Sequence, residues 1–357
     1  MGFFIGDIEI KSKVILAPMA GITSFSYRKF LSKFLKTLTY TEMISDSGLI
    51  YDNKETNSLI YTDGSEFPLA LQLFGSNIDK MLKAIDILEE KKVQYDILDI
   101  NLACPVNKVT KTGAGSALLK NLDYLYEFMS KICKKSKKPV TAKVRLGYEK
   151  IDIENIVQVL EKAGVKFIAI HARTQKELYS GAPHFNELKN IRDLISIPFG
   201  VSGNIFSTKD ALEALKATRA DCVLLARGSI GNPKLIYNID QAFKGNKISE
   251  ELTYEEQKVF LLDFAKMLIL EKGEKRAISL LKGIAPKFFV NLPNSKQIRI
   301  KLSQEMNSYD DLIKIISEIH QFLWYILDNW RHLPFASLLE EKLKREWFLF
   351  HQVNSFF

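Results

Sequence analysis

Cys104 stands in Asp99-Ile100-Asn101-Leu102-Ala103-Cys104-Pro105, an apolar run that turns polar and continues as a loop with Lys108, Lys111, Gly113 and Gly115. An ordinary thiol, with a pKa of about 8.5, is mostly protonated at neutral pH. A cysteine in such a loop can therefore give a proton to a substrate as a general acid. Free cysteine is more often a small buried hydrophobe, and that reading suits Cys133, in a helical pattern, and Cys222, in a strand pattern. Three cysteines this far apart form neither a disulfide framework nor a metal set. No metal is expected, and a reducing cytoplasm is the natural compartment.

Other residues suited to chemistry recur at comparable places. Lys143 ends an apolar run, where an ammonium is costly to bury without an anionic partner. Gln72 can hydrogen-bond a heterocycle edge as donor and acceptor. His171 can donate to the same edge or to substrate, although a lone histidine is often a hydrogen-bonded core residue. The loop Ala17-Pro18-Met19-Ala20-Gly21-Ile22-Thr23 has residues small enough to let backbone approach a flat ring, and reads equally well as a tight turn. Ser202-Gly203-Asn204 and Ala226-Arg227-Gly228-Ser229 are glycine-containing turns whose N–H groups can hold an anion, with Arg227 as a charged donor.

All these residues lie at the ends of β-rich runs. Strand patterns cover Val14–Ala17, Thr39–Met43, Leu69–Phe74, Ile97–Asn101, Val140–Val144, Phe167–His171, Pro198–Val201 and Asp221–Ala226. Helical patterns at Thr23–Leu35, Asn77–Lys91, Leu122–Lys134, Asp152–Ala163, Phe185–Leu194 and Thr208–Lys216 alternate with them. Several strands are apolar without alternation, as when both sheet faces are covered. The pattern predicts a (β/α)8 TIM barrel, whose active site lies at the C-terminal strand ends. An open doubly wound sheet is the alternative, but no G-x-G-x-x-G follows the first strand. Those strand ends offer Pro18, Glu42, Gln72, Asn101, Lys143 with Arg145, His171, Ser202 and Arg227 in succession. One polar residue there is often a satisfied core group; a full ring of them is hard to explain as structure. The set suits a flavin mononucleotide, FMN, with its phosphate at the last two strands and its ring over the barrel mouth.

Beyond residue 245 the pattern becomes helical. Thr253 and Glu256 form a capping box, Pro286 and Leu292-Pro293-Asn294 punctuate the helical region after it, and Tyr309–Leu327 is amphipathic. Three regions are expected: a barrel over 1–245, a helical domain over 246–330 and an aromatic-rich extension over 331–357. The chain has a net charge of +8, which favours an acidic partner. Lys272, Lys275, Arg276, Lys282, Lys287, Lys296, Arg299 and Lys301 stand against one acid, Glu274, in their stretch. No apolar run is long enough to span a membrane and no signal peptide opens the chain.

Over about residues 13–240 the chain resembles the tRNA-dihydrouridine synthase family. The match includes the Ala17–Thr23 loop, Thr41-Glu42-Met43-Ile44-Ser45, Gln72-Leu73-Phe74-Gly75, the Asp99–Pro105 segment with its Lys108–Leu119 tail, Val140–Arg145, His171-Ala172-Arg173-Thr174, Tyr179-Ser180-Gly181 and Arg227–Pro233. The Cys-Pro segment with its tail is the most specific part. The resemblance implies reduction of the C5=C6 bond of tRNA uridine, with bound FMN and NADPH as reductant. It implies hydride transfer from flavin N5 to C6 and a proton from Cys104 to C5. It places Pro18, Met19, Ala20, Gln72, Lys143, His171, Ser202, Gly203, Asn204, Ala226 and Arg227 on FMN. Asn101, Lys108, Lys111, Arg145, Arg173, Lys282, Lys287 and Arg299 are expected on the RNA, in a protein acting as a monomer. Ser202-Gly203-Asn204 stands where the family usually has Asn-Gly-Asp, Ala172 follows His171 where glycine is usual, and Ala226 also replaces a glycine. The rivals are a free-pyrimidine flavoenzyme resembling dihydroorotate dehydrogenases and an RNA-binding protein with a dead barrel. The basic helical region argues against the first, and the intact Cys104 and Lys143 against the second.

Overall fold

A computed structural model describes residues 2–249, 252–290 and 295–317. Leu292-Pro293-Asn294, the later part of the expected Tyr309–Leu327 helix and the 331–357 extension lie outside the described residues. The chain divides into two compact units. One is Met1–Ser229 with Lys234–Ile248; the other is Ile230–Pro233 with Ser249 onward.

The first unit is a (β/α)8 barrel. A short antiparallel hairpin, β1 (Phe3–Ile5) and β2 (Ile8–Ile10), precedes eight parallel strands. These are β3 (Val14–Leu16), β4 (Thr39–Ser45), β5 (Leu69–Phe74), β6 (Ile97–Leu102), β7 (Val140–Arg145), β8 (Phe167–His171), β9 (Phe199–Ser202) and β10 (Cys222–Leu225), with β10 pairing back onto β3. Leu16 N donates to Leu38 O at 3.0 Å and Thr37 Oγ1 to Val14 O at 2.8 Å, which joins β3 to the start of β4 and closes the ring. The predicted strands are all present, two of them with unchanged limits. The expected helix over Phe185–Leu194 is instead a 3-10 turn, Phe185–Leu188, and a single helical turn, Ile191–Leu194. Asn186 and Asn190 favour such local turns over a continuous helix.

The barrel interior changes character along its axis. At the N-terminal end Ile15, Tyr40, Ala70, Ile97, Phe167, Cys222 and Leu224 form one apolar cluster, and hairpin residues Phe3, Ile5 and Ile10 seal it from below. Phe3 stacks on Phe167 with centroids 5.7 Å apart. Gly200 makes room there, since a Cβ would stand 2.6 Å from Cys222 Sγ. Alternate residues of a strand share one face, so the residues two steps onward occupy the next layer up. Register sets Gln72 beside Asp99 and Asp99 beside Thr141. Asn101 then pairs with Lys143, and Arg145 with His171, which pairs in turn with Ser202. The apolar plug thus gives way to a polar mouth.

In the second unit, Tyr254–Lys272 opens with the expected capping box: Thr253 Oγ1 accepts from Glu256 N at 3.1 Å, and Glu256 Oε2 accepts from Thr253 N at 3.0 Å. Helix Glu274–Ile284, the 3-10 turn Ala285–Phe289 and helix Ser295–Gln304 come next, around a core of Leu261, Phe264, Leu268, Leu281, Phe288 and Phe289. No helix among the described residues is long and apolar enough to cross a membrane.

Candidate active site

At the barrel mouth one polar chain runs across three strands. Asp99, fully buried, accepts from Thr141 Oγ1 at 2.6 Å and from Gln72 Nε2 at 2.7 Å. Gln72 Oε1 accepts from Asn101 Nδ2 at 2.8 Å. Asn101 Oδ1 accepts from Ala103 N at 3.1 Å and Cys104 N at 2.9 Å. The glycine-rich tail of this loop folds back over the cysteine: Ser116 Oγ donates to Cys104 O at 2.8 Å, and a Cβ on Gly115, whose φ is +63°, would stand 2.9 Å from that oxygen. Cys104 is thereby held by its backbone, with its side chain partly exposed.

Cations outnumber carboxylates at the mouth. Burial, and then the neighbouring Arg145, lower the Lys143 pKa to about 8, and Lys143 makes no ion pair with any described residue. Burial holds His171 well below its ordinary range, helped by Lys143, Arg145, Arg173 and Arg227, so its imidazole is neutral. Its Nε2 lies 3.4 Å from Arg173 Nη1 and its Nδ1 3.2 Å from Ser202 Oγ. A guanidinium only donates, so Nε2 accepts and Nδ1 carries the proton toward Ser202.

Two of these arginines have structural partners. Arg145, 2% exposed, donates to Ala103 O at 2.8 Å, Thr174 O at 2.8 Å and Leu178 O at 2.7 Å. Arg173, fully buried, donates to Ser180 O at 2.9 Å, to Gly181 O and to Asn204 Oδ1 at 3.1 Å. These bonds anchor both side chains within the barrel. Their donors tie the 174–181 loop to the Cys104 loop and to the turn after β9. Lys108 and Lys111 are exposed beside that mouth.

The remaining expected residues surround the mouth. Met19 folds the Pro18–Ala20 turn onto Thr23, with Met19 N donating to Thr23 Oγ1 at 3.1 Å, and Gly21 N donates to the Glu42 carboxylate. After β9, Gly203 (φ +145°) and Asn204 (φ +47°) turn the chain sharply, and Asn204 Oδ1 also accepts from Arg227 Nη2 at 3.4 Å. Ala226 accepts from Ser229 N at 2.9 Å in the turn after β10. Gly228 is needed there for close approach, because a Cβ would stand 2.2 Å from Ile205 O. The exposed Arg227 guanidinium lies 5.3 Å from the Tyr179 ring centroid and 5.6 Å from that of Phe206. In the second unit Lys287 is exposed, Lys282 Nζ donates to Asn307 Oδ1 at 3.1 Å, and Arg299 Nε donates to Ser295 O at 3.2 Å. Roles for Asp99, Thr141 and Tyr179 were missed in the sequence. The available signal was spacing: Asp99 precedes Asn101 by two and Thr141 precedes Lys143 by two, which puts each pair on one strand face.

Among the described residues no group of His, Cys, Asp or Glu is arranged to hold a metal. The chain is 32% identical over 311 residues to a probable tRNA-dihydrouridine synthase of Aquifex aeolicus, covering 86% of this chain and 96% of that protein. It is 32% identical to tRNA-dihydrouridine synthase B of Pasteurella multocida, over 79% of this chain and 87% of the relative. Among solved structures, a 6-hydroxypseudooxynicotine amine oxidase of Pseudomonas geniculata aligns with a TM-score of 0.51 at 12% identity, over 68% of this chain and 49% of that one, a likeness of fold alone. Residues 15–321 match the model of the dihydrouridine synthase (Dus) family, and the chain belongs to that family.

Proposed function

We propose that this chain reduces the C5=C6 bond of uridine in tRNA to dihydrouridine, with FMN bound at the barrel mouth and NADPH as reductant. The observation that carries the reading is the Asp99–Gln72–Asn101 chain, which positions the Cys104 backbone beside an acid-poor mouth. The residues there fit a flavin mononucleotide. Lys143 is an ammonium in no ion pair with a described residue, and Arg227 offers exposed donors beside a turn that Gly228 keeps narrow. Pro18, Met19, Ala20, Gln72, Lys143, His171 and Ala226 would hold the ring, while Ser202, Gly203, Asn204 and Arg227 would hold the phosphate.

Bound flavin supplies hydride chemistry. The protein's own residues do the rest. Lys143, an ammonium that burial and Arg145 disfavour, would offset negative charge on the ring edge. Asn101 fixes the Cys104 main chain, and the Cys104 thiol gives its proton to C5 of the uracil. Lys108 and Lys111 are suited to phosphates flanking an extruded nucleotide, since a stacked base cannot reach a barrel mouth. Lys282, Lys287 and Arg299 would add phosphate contacts from the second unit. The reaction belongs in the cytoplasm, carried out by a monomer. In the decisive assay, the flavin-loaded protein and NADPH are given unmodified tRNA or free uridine monophosphate. Dihydrouridine in tRNA is expected; reduction of the mononucleotide alone would favour the free-pyrimidine rival.

A further inference from the structure

We propose that Asp99 is a positioning residue for Cys104. As a carboxylate that only accepts, it sets the direction of the hydrogen-bond chain ending at the Ala103 and Cys104 N–H groups, and so fixes where the thiol stands. The proposal rests on the reading of Cys104 as proton donor.

A side-chain amide presents oxygen or nitrogen according to its partners. Here each choice follows from Asp99. Its oxygens accept from Thr141 at 2.6 Å and from Gln72 Nε2 at 2.7 Å, so Gln72 turns its Oε1 to Asn101. Asn101 must then give its Nδ2 to Gln72, at 2.8 Å, and its Oδ1 to Ala103 N and Cys104 N, at 3.1 and 2.9 Å. A donor in place of Asp99 would reverse both amides. It would set Asn101 Nδ2 against two N–H groups, and the loop would lose both bonds. The other side of the loop has independent anchors, Arg145 on Ala103 O and Ser116 on Cys104 O, each at 2.8 Å. The Asn101 side is thus the part of the loop that Asp99 controls.

A group retained only for stability would not be a charged one here. Burial raises the Asp99 pKa to about 6, against the bonds from Gln72 and Thr141 and the attraction of Lys143. The titratable groups facing it are Lys143 on β7 and Tyr40 on β4, and Asp99 in turn helps keep the buried Tyr40 phenol protonated. An acid with a raised folded-state pKa destabilises the fold once ionised, so above that value the charge opposes folding while it directs the chain. Protonation of Asp99 creates an O–H donor and frees Gln72 to reverse.

The test uses the full-length, flavin-loaded protein with tRNA, compared with Asp99→Asn and Asp99→Leu. In wild type, uridine reduction should fall as pH drops through about 6. Asp99→Asn, like the protonated acid, carries a donor beside its acceptor. At neutral pH it should reduce uridine at the level to which wild type falls below about pH 6, and show no acid limb of its own. Asp99→Leu, of similar volume but with no acceptor, should reduce uridine roughly tenfold or more slowly, as loose positioning does, with flavin still bound. Iodoacetamide labelling of Cys104 at neutral pH should change in Asp99→Leu. An Asp99→Asn acid limb like wild type's, or undiminished reduction by Asp99→Leu, overturns the proposal. If the leucine variant does not fold, the asparagine pH profile decides alone. A Cys104→Ala control with full activity would instead overturn the proton-donor reading, independently of the Asp99 result.

Discussion

Replacing Lys143 with methionine should make the flavin-free protein more stable and its grip on flavin weaker. The stem length is kept and only the charge is lost. In the barrel the ammonium pKa falls from 10.5 to about 8, chiefly through burial and then through Arg145. Each pKa unit is worth about 1.4 kcal/mol, so the charge destabilises the fold by at most about 3 kcal/mol near neutral pH. Lys143 as a whole residue is half-buried, and water reaching it lowers that ceiling. A base with a depressed folded-state value binds fewer protons when folded. The penalty is therefore full below about pH 8 and fades as pH rises from there toward the unfolded value of 10.5. Urea unfolding of flavin-free wild type and Lys143→Met at about pH 7 and about pH 10 should show a variant advantage that shrinks at the higher pH. Titration with FMN should show affinity falling roughly tenfold or more, as expected for loss of a charged hydrogen bond. A variant less stable than wild type, or an advantage that ignores pH, would refute the idea that burial of an unpaired charge dominates at this position. Undiminished FMN affinity would refute its role as the cation beside the ring.

Three further outcomes are expected. Cys104→Ala should bind flavin and oxidise NADPH while forming dihydrouridine about 10²–10⁴-fold more slowly; equal loss of NADPH oxidation would mean that the residue is structural. Arg227→Ala would remove the exposed guanidinium beside the turn that Gly228 keeps narrow. It should weaken FMN roughly tenfold but leave riboflavin, which has no phosphate, nearly unaffected, and equal effects on both ligands would exclude a phosphate role. Replacing Lys282, Lys287 and Arg299 with alanine should weaken tRNA binding and flatten its salt dependence; an unchanged slope would move the RNA surface to Lys108 and Lys111.

The barrel was legible because its strands are short apolar runs punctuated by chemistry. Leu69–Phe74 and Phe167–His171 have the limits their composition implies. The Cys104 loop was legible from its mixture of cysteine, lysine and glycine. The Asp99 role was not, since it exists only through register: Gln72, Asp99 and Thr141 become neighbours when three strands align. The anchoring of Arg145 and Arg173 was not legible, because a sequence shows charge and not what turns toward it. Their partners are carbonyls of the 174–181 loop and Ala103, whose path no local pattern reveals. The hairpin Phe3–Ile10 escaped because its strands are only three residues each, too short for alternation to stand out.

The central claim is that this chain makes dihydrouridine in tRNA through Cys104. Its most direct test is a dihydrouridine map of tRNA from cells lacking the chain, complemented with wild type or with Cys104→Ala. At least one tRNA position should lose dihydrouridine, regain it with wild type and stay uridine with the alanine variant. Restoration of that position by Cys104→Ala to the wild-type level would contradict the claim.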